Sequence, residues 1–136
     1  MFNKESETLQ HSKLKEMQYE RMKWSLRHAY ENVPFYKKSF DDTGFHPDQF
    51  RSLDDMQRVP FLMKQDMRAN YPFGLFAVPM EKVVRLHSSS GTTGNATVVG
   101  YTKNDLDVWG EVIARTIACA GGGPKDIIQV AYGYGL

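Results

Sequence analysis

Apolar side chains in the first part of the chain recur at the spacing of a helix. Between residues 7 and 32 they return every three or four positions, which places one set on a single helical face. The members of that set are Met22, Leu26, Ala29, Tyr30 and Val33. Because a residue before proline is disfavoured in the helical conformation, we expect this helix to end by Val33. Pro34 then suits the first turn of a second helix that runs through Phe40.

The second part of the chain has the pattern of a strand, a small-residue loop, a strand, a helix and a strand. Short β-rich runs at 83–87 and 97–101 are close enough in sequence to pair as a hairpin. Thr102 suits the cap of a helix, with Asp105 at its third position. A β-branched run over 126–132 indicates a further, buried strand. This order is typical of an α/β layer protein.

The change in pattern falls near Pro79 and divides the chain into two segments. Residues 1–79 are predicted to be a mainly helical segment, with short helices over 53–57 and 63–70. Residues 80–136 are predicted to be the start of an α/β domain. The predicted fold class is therefore α/β, with a helical N-terminal segment followed by a first β-hairpin, a helix and a strand.

The composition argues against several classes of protein. The chain has 136 residues and a formal net charge of +1, which gives no strong field for a nucleic acid or an anionic membrane. It has no run of eighteen apolar residues and no apolar stretch after its first lysine, so neither a membrane-spanning helix nor a secretory signal is predicted. The single cysteine favours a reducing compartment, and we expect a cytoplasmic protein.

The stretch between the two predicted strands, SSSGTTGN at 88–95, consists entirely of small or polar residues. Gly91 and Gly94 permit positive φ and close backbone approach, so that backbone N–H groups and several hydroxyls can turn towards one anion. The spacing is not that of a Walker A loop, since the glycines are three apart and no lysine follows Gly94. Composition alone leaves two interpretations, a phosphate-binding loop and a flexible hairpin connection.

The order of residues around this loop is more informative than its composition. HSSSGTTG at 87–94, followed by TVVGYT at 97–102, closely resembles the phosphate-binding signature of adenylate-forming enzymes, and specifically of phenylacetate–coenzyme A ligases. Segments 26–36, 70–77 and 130–136 resemble the same family in the same order. Because members of that family are several times longer, we interpret the chain as an amino-terminal fragment whose α/β part is an incomplete large N-terminal domain.

The resemblance implies an enzyme that works in two steps. A carboxylate attacks the α-phosphate of ATP to give an acyl-adenylate and pyrophosphate, and coenzyme A then displaces AMP to give a thioester. For the full-length parent it implies ATP, Mg²⁺, coenzyme A and a small carboxylic acid such as phenylacetate. The residues that it assigns to phosphate are Ser89, Ser90, Gly91, Thr92, Thr93 and Gly94. Tyr134 and Gly135 resemble part of a pocket for the aryl acid, and the catalytic lysine is expected beyond residue 136.

Three further features bear on this interpretation. Asn95 and Ala96 stand where the related signature usually has a lysine-proline pair, so one cationic phosphate contact is expected to be absent. The four histidines have no paired spacing, so no metal site is predicted. His87 abuts the loop, and it either donates a hydrogen bond there or has a structural positioning role.

Alternatives to this interpretation stay open. We expect the fragment by itself to be catalytically inactive. It could instead be a stand-alone nucleotide- or phosphate-binding module, or an oligomerising module that forms a homodimer through an unpaired strand edge near Val130. A related adenylyltransferase that uses another carboxylic acid is a further alternative.

Overall fold

The computed structural model describes residues 1–89 and 96–131. Its helices are α1 (Lys4–Glu7), α2 (His11–Asn32), α3 (Pro34–Asp42), α4 (Lys64–Ala69) and α5 (Lys103–Cys119), its strands are β1 (Val83–Ser88) and β2 (Val98–Thr102), and short 3₁₀ helices cover Pro47–Gln49, Leu53–Arg58 and Met80–Lys82. The long first helix begins at His11, later than predicted. The N–H and the hydroxyl of Thr8 both donate to the carbonyl oxygen of Lys4, at 3.0 and 2.7 Å, and this bonding closes α1 as a separate turn.

The described core lies in the helical segment, where α2 packs on α3. Its buried members are Leu26, Phe40, Phe45 and Phe50, and partly buried side chains around them are Tyr19, Met22, Tyr30, Tyr36, Leu53 and Val59. The apolar face predicted for the first helix therefore does face the core. Phe40 stands at the centre, since its ring lies 5.3 Å from that of Phe45 and 6.1 Å from that of Tyr30.

A left-handed glycine ends α3 and sets the position of Phe45. Gly44 has φ of +67°, a conformation that costs a residue with a Cβ atom. Its N–H donates to the carbonyl of Asp41 at 3.1 Å, and the N–H of Phe45 donates to that of Phe40 at 3.0 Å. This pair of bonds is the Schellman motif, and the Phe40–Phe45 ring contact is the apolar contact that accompanies it.

The two strands pair antiparallel, as predicted for a hairpin. Leu86 lies opposite Gly100 and His87 opposite Val99, with an irregularity in the register between Val83 and Arg85. Successive residues of a strand alternate between faces, so Gly100 and His87 lie on different faces. A Cβ built on Gly100 would lie 2.6 Å from Cε2 of Phe76, which shows that the Phe76 ring packs directly on this strand.

The strand predicted over 126–132 is not formed in the part that the structure describes. Residues 126–131 have no regular secondary structure, and the side chains of Ile127 and Val130 are 99% and 75% exposed. A strand requires a neighbour with which to share hydrogen bonds, and the described sheet contains only β1 and β2. This element of the prediction is therefore wrong here, whereas the hairpin and the following helix are confirmed.

The amino terminus contacts α5 through polar groups. The side-chain amide of Asn3 donates to Oε1 of Glu111 at 2.7 Å, and Nε of Arg115 lies 3.5 Å from Oε1 of Glu7. The same Glu7 oxygen accepts the N–H groups of Asn3 at 2.9 Å and Phe2 at 3.2 Å. Mainly because of the Asn3 N–H, and against the effect of burial, the pKa of Glu7 lies below its usual range. The two segments are thus joined here, while the boundary drawn near Pro79 stays a prediction.

We predict that Gly44→Ala lowers the free energy of unfolding by about 1 kcal/mol or more, because alanine is strained at positive φ. Urea denaturation followed by circular dichroism measures the change. Gly110→Ala is the matched control, since Gly110 lies inside α5 with open space around its Cα. There alanine should stabilise by about 0.5–1 kcal/mol. A Gly44→Ala variant as stable as the parent would contradict the assigned conformation.

We also predict that Glu7 contributes an acid-sensitive part of the stability. A carboxyl whose pKa is lowered by folding stabilises the folded chain at pH values above its unfolded pKa, and loses that contribution as the pH falls through the lower folded pKa. Glu7→Gln should therefore lower stability at pH 7 and flatten its decline in acid. Urea denaturation at stepped pH measures this. Glu5→Gln, which makes the same change of charge two residues away in α1, should alter the profile less.

Candidate phosphate-binding hairpin

The predicted phosphate residues fall at the junction of the two strands, and only one of them is described. Ser89 follows β1 directly, whereas Ser90, Gly91, Thr92, Thr93 and Gly94 lie outside the described residues. Tyr134 and Gly135, assigned to the acid pocket, also lie outside them. Their roles therefore stay predictions. The structure does show how the chain reaches and leaves the predicted loop.

Ser89 and Thr97 close the hairpin at the end that faces the loop. The N–H of Ser89 donates to the carbonyl of Thr97 at 3.0 Å, and the N–H of Thr97 donates to Oγ of Ser89 at 2.9 Å. The hydroxyl of Ser88 donates to the carbonyl of Ser89 at 3.0 Å. Because Oγ of Ser89 accepts one of these bonds, its own hydrogen remains available to a ligand. We name the Ser89–Thr97 pair of bonds the closure.

A capping box fixes α5 directly after β2. The N–H and the hydroxyl of Thr102 both donate to Oδ2 of Asp105 at 2.8 Å, and the N–H of Asp105 donates to Oγ1 of Thr102 at 3.2 Å. The predicted cap is thereby confirmed. No residue separates the strand from the helix, so the direction of α5 follows from that of the hairpin.

Three rings from β1, β2 and α5 meet beside the closure. His87 lies 5.1 Å from Tyr101 and 5.4 Å from Trp109, measured between ring centroids, with interplanar angles of 64° and 74°. Tyr101 and Trp109 stack at 5.3 Å with an angle of 28°. We name these three residues the ring cluster. Sequence reasoning identified His87 but missed its two partners, although the spacing of Trp109 on the apolar stripe of α5 and the strand register could have indicated them.

The described residues contain neither a cluster of metal-ligating side chains nor a membrane-spanning helix. No three side chains of His, Cys, Asp or Glu in residues 1–89 and 96–131 come together as metal ligands. Over the same ranges, none of the helices is both long and apolar enough to cross a bilayer. What the hairpin offers a ligand is a hydroxyl and backbone groups at the start of a loop rich in serine, threonine and glycine.

Comparison with curated proteins gives close relatives. The chain is 59% identical to the phenylacetate-coenzyme A ligase of Escherichia coli (strain K12) over 130 residues, which are 96% of this chain and 30% of the relative. It is 59% identical to the enzyme of that name from Aromatoleum evansii over 90% of this chain and 28% of the relative. The Thermus thermophilus ligase is 54% identical over the whole chain and 31% of the relative. No protein-family model matches the chain.

Solved structures give a consistent result. Crystal structures of 2-hydroxyisobutyryl-CoA ligase resemble this fold: the postadenylation state in complex with 2-HIB-AMP has a TM-score of 0.77 and 30% identity over 88% of this chain and 26% of that one. The thioesterification state with 2-HIB-AMP and CoA has a TM-score of 0.72 and 32% identity over 79% of this chain and 24% of that one.

Both kinds of comparison confirm the resemblance to adenylate-forming ligases that the four sequence blocks predicted. The hairpin with its preceding helices corresponds to part of the fold of an adenylate-forming ligase. The short share of each relative agrees with the interpretation of the chain as a part of such an enzyme. The chain is a relative of the phenylacetate-coenzyme A ligases and spans about 30% of their length.

Proposed function

We propose that the chain is the part of an ATP-dependent ligase that carries its phosphate-binding hairpin, and that the whole enzyme joins phenylacetate or a related aryl acid to coenzyme A. The observation that carries this proposal is the 59% identity to a named phenylacetate-coenzyme A ligase over 96% of the chain. The structural neighbours support an acyl-adenylate intermediate, because they are complexes with 2-HIB-AMP.

The proposed reaction has two displacements. A carboxylate oxygen of the acid bonds to the α-phosphorus of ATP, and the bond from that phosphorus to the bridging oxygen breaks, so that pyrophosphate leaves. The thiol of coenzyme A then releases its proton to solvent, its sulfur bonds to the acyl carbon, and AMP leaves with the electron pair of the broken C–O bond. Such transfers ask the protein mainly to position the phosphates and to stabilise their charge.

The hairpin suits that task in two ways. The closure brings the two chain ends of the predicted loop to adjacent points, so that donors from Ser89 to Gly94 can converge on one phosphate group. The hydroxyl of Ser89 supplies a described donor at the edge of this region.

ATP and coenzyme A are proposed as ligands of the whole enzyme, and Tyr134 and Gly135 as part of its acid pocket. Mg²⁺ is proposed with ATP, and no described residue is assigned to it as a ligand.

We predict that the 136-residue chain alone forms no AMP or pyrophosphate from ATP, phenylacetate and coenzyme A, because the catalytic lysine is expected beyond its last residue. A coupled pyrophosphate assay and chromatography of AMP measure this. The E. coli ligase serves as positive control under the same conditions. Turnover by the short chain would overturn its interpretation as part of the enzyme and favour a self-sufficient adenylyltransferase.

We predict that the chain binds sodium triphosphate through the loop hydroxyls. The double variant Thr92→Val/Thr93→Val keeps side-chain shape but removes two donors. We expect binding to weaken by about a hundredfold or more, since each hydrogen bond to a charged group is worth about 1.5–3 kcal/mol. Amide chemical shifts in a titration measure the affinity. Thr116→Val is the matched control, because the Thr116 hydroxyl donates to the Val112 carbonyl within α5. Equal affinities in all three proteins would refute the phosphate assignment.

Two alternatives are separated by their own measurements. Calorimetry that shows micromolar affinity for ATP would favour a stand-alone nucleotide-binding module, since part of a larger site should bind far more weakly. A homodimer is favoured by the exposed apolar side chains of Ile127, Ile128 and Val130. Light scattering over a range of concentrations tests it, and a strict monomer would reject it.

A further inference from the structure

The strongest unexplained feature is the ring cluster, which joins three elements at an exposed position. His87 and Tyr101 come from the two strands and Trp109 from the second turn of α5. Their three centroid distances fall between 5.1 and 5.4 Å, the range in which edge-to-face and offset pairs attract. Neither β1 nor α5 contains a buried residue, and the His87–Trp109 contact joins these two elements directly.

His87 contributes to this cluster through its ring and not through hydrogen bonds. Neither of its ring nitrogens has a hydrogen-bond partner among residues 1–89 and 96–131. Val99 lies opposite His87 in the register, and the closure lies two residues from each of them, on the side of the predicted loop. Only the Ser88–Val98 pair separates His87 from the Ser89–Thr97 bonds, so loss of the His87 ring contacts would weaken the strand pairing close to those bonds.

We propose that His87 is a positioning residue of the ligase reaction. Its ring packs against Tyr101 and Trp109, keeps the closure formed, and so fixes where the phosphate-binding loop begins relative to α5. This inference rests on the proposed function for the role of the loop, but the packing role itself concerns only described residues. It also implies reciprocity, because a loop that binds phosphate better when the closure is formed must in turn favour the closed hairpin when phosphate binds.

Because Trp109 belongs to the ring cluster, its fluorescence emission can report whether phosphate binding changes the hairpin. The sequence has two tryptophans, and Trp24 stacks on His28 at 4.7 Å, with both residues in α2. In a Trp24→Phe background the emission therefore comes from Trp109 alone. We expect sodium triphosphate to change that emission along a saturable curve in the background protein.

Two variants of His87 distinguish the packing of its ring from a role of its ring nitrogens. His87→Leu keeps apolar bulk but removes the ring, and we expect amide hydrogen exchange at Ser89 and Thr97 to become about tenfold faster and the triphosphate-dependent change in emission to be lost. His87→Phe restores the ring without its nitrogens and should recover both properties. The matched control is His28→Leu in the chain with Trp24 intact, which removes the ring of the other Trp–His pair and should leave exchange at Ser89 and Thr97 unchanged.

Each outcome decides the inference. If His87→Leu leaves hydrogen exchange at Ser89 and Thr97 unchanged, the inference is overturned. It is also overturned if the Phe45 amide of the α3 Schellman motif exchanges faster as well, because the effect would then be a general loss of stability. His87→Phe that keeps slow exchange but loses triphosphate affinity would make His87 a ligand contact and overturn the packing role. If His87→Leu fails to fold, Trp109→Leu removes the other side of the contact and must speed exchange likewise. Absence of triphosphate binding by the background protein refutes the proposed function of the loop, and the exchange data then decide the packing role alone.

Discussion

The antiparallel pairing of β1 with β2 is the interaction on which the candidate site depends. The pairing determines where Ser89 meets Thr97, which face carries His87, and where α5 begins after Thr102. No residue of either strand or of α5 is buried, in contrast to the aromatic core around Phe40. The hairpin is therefore held by local bonds and ring contacts, and elements of this kind open more readily than a packed core.

Features that depend on near neighbours in sequence could be predicted well. Thr102 and Asp105 lie three residues apart and form their capping box as expected, and Thr43-Gly44 closes α3 in the same local way. The spacing of Leu26 and Val33 identified the buried face of α2 because the helical period alone decides which side chains share a face. The strand expected near Ile128 failed because a strand needs a partner, and local preference cannot supply one.

The candidate site could be predicted in part for the same reason. The two strands that flank the loop and the serine that ends the first of them follow from the order of residues. The packing of His87 against Tyr101 does not, because the contact requires the register, which one strand's sequence does not contain. The sequence indicates Trp109 only as one position of an apolar helical stripe. The structure shows that this stripe packs near His87, because α5 begins directly after β2 ends at Thr102.

The contact between the amino terminus and α5 has a practical consequence. The N–H groups of Phe2 and Asn3 both donate to Glu7, and Asn3 also reaches Glu111, so the first residues lie against the helix that follows the hairpin. Any peptide fused ahead of Met1 would start beside that helix. An affinity tag for purification is better attached elsewhere, since at this end it would compete with the bonds that join the two segments.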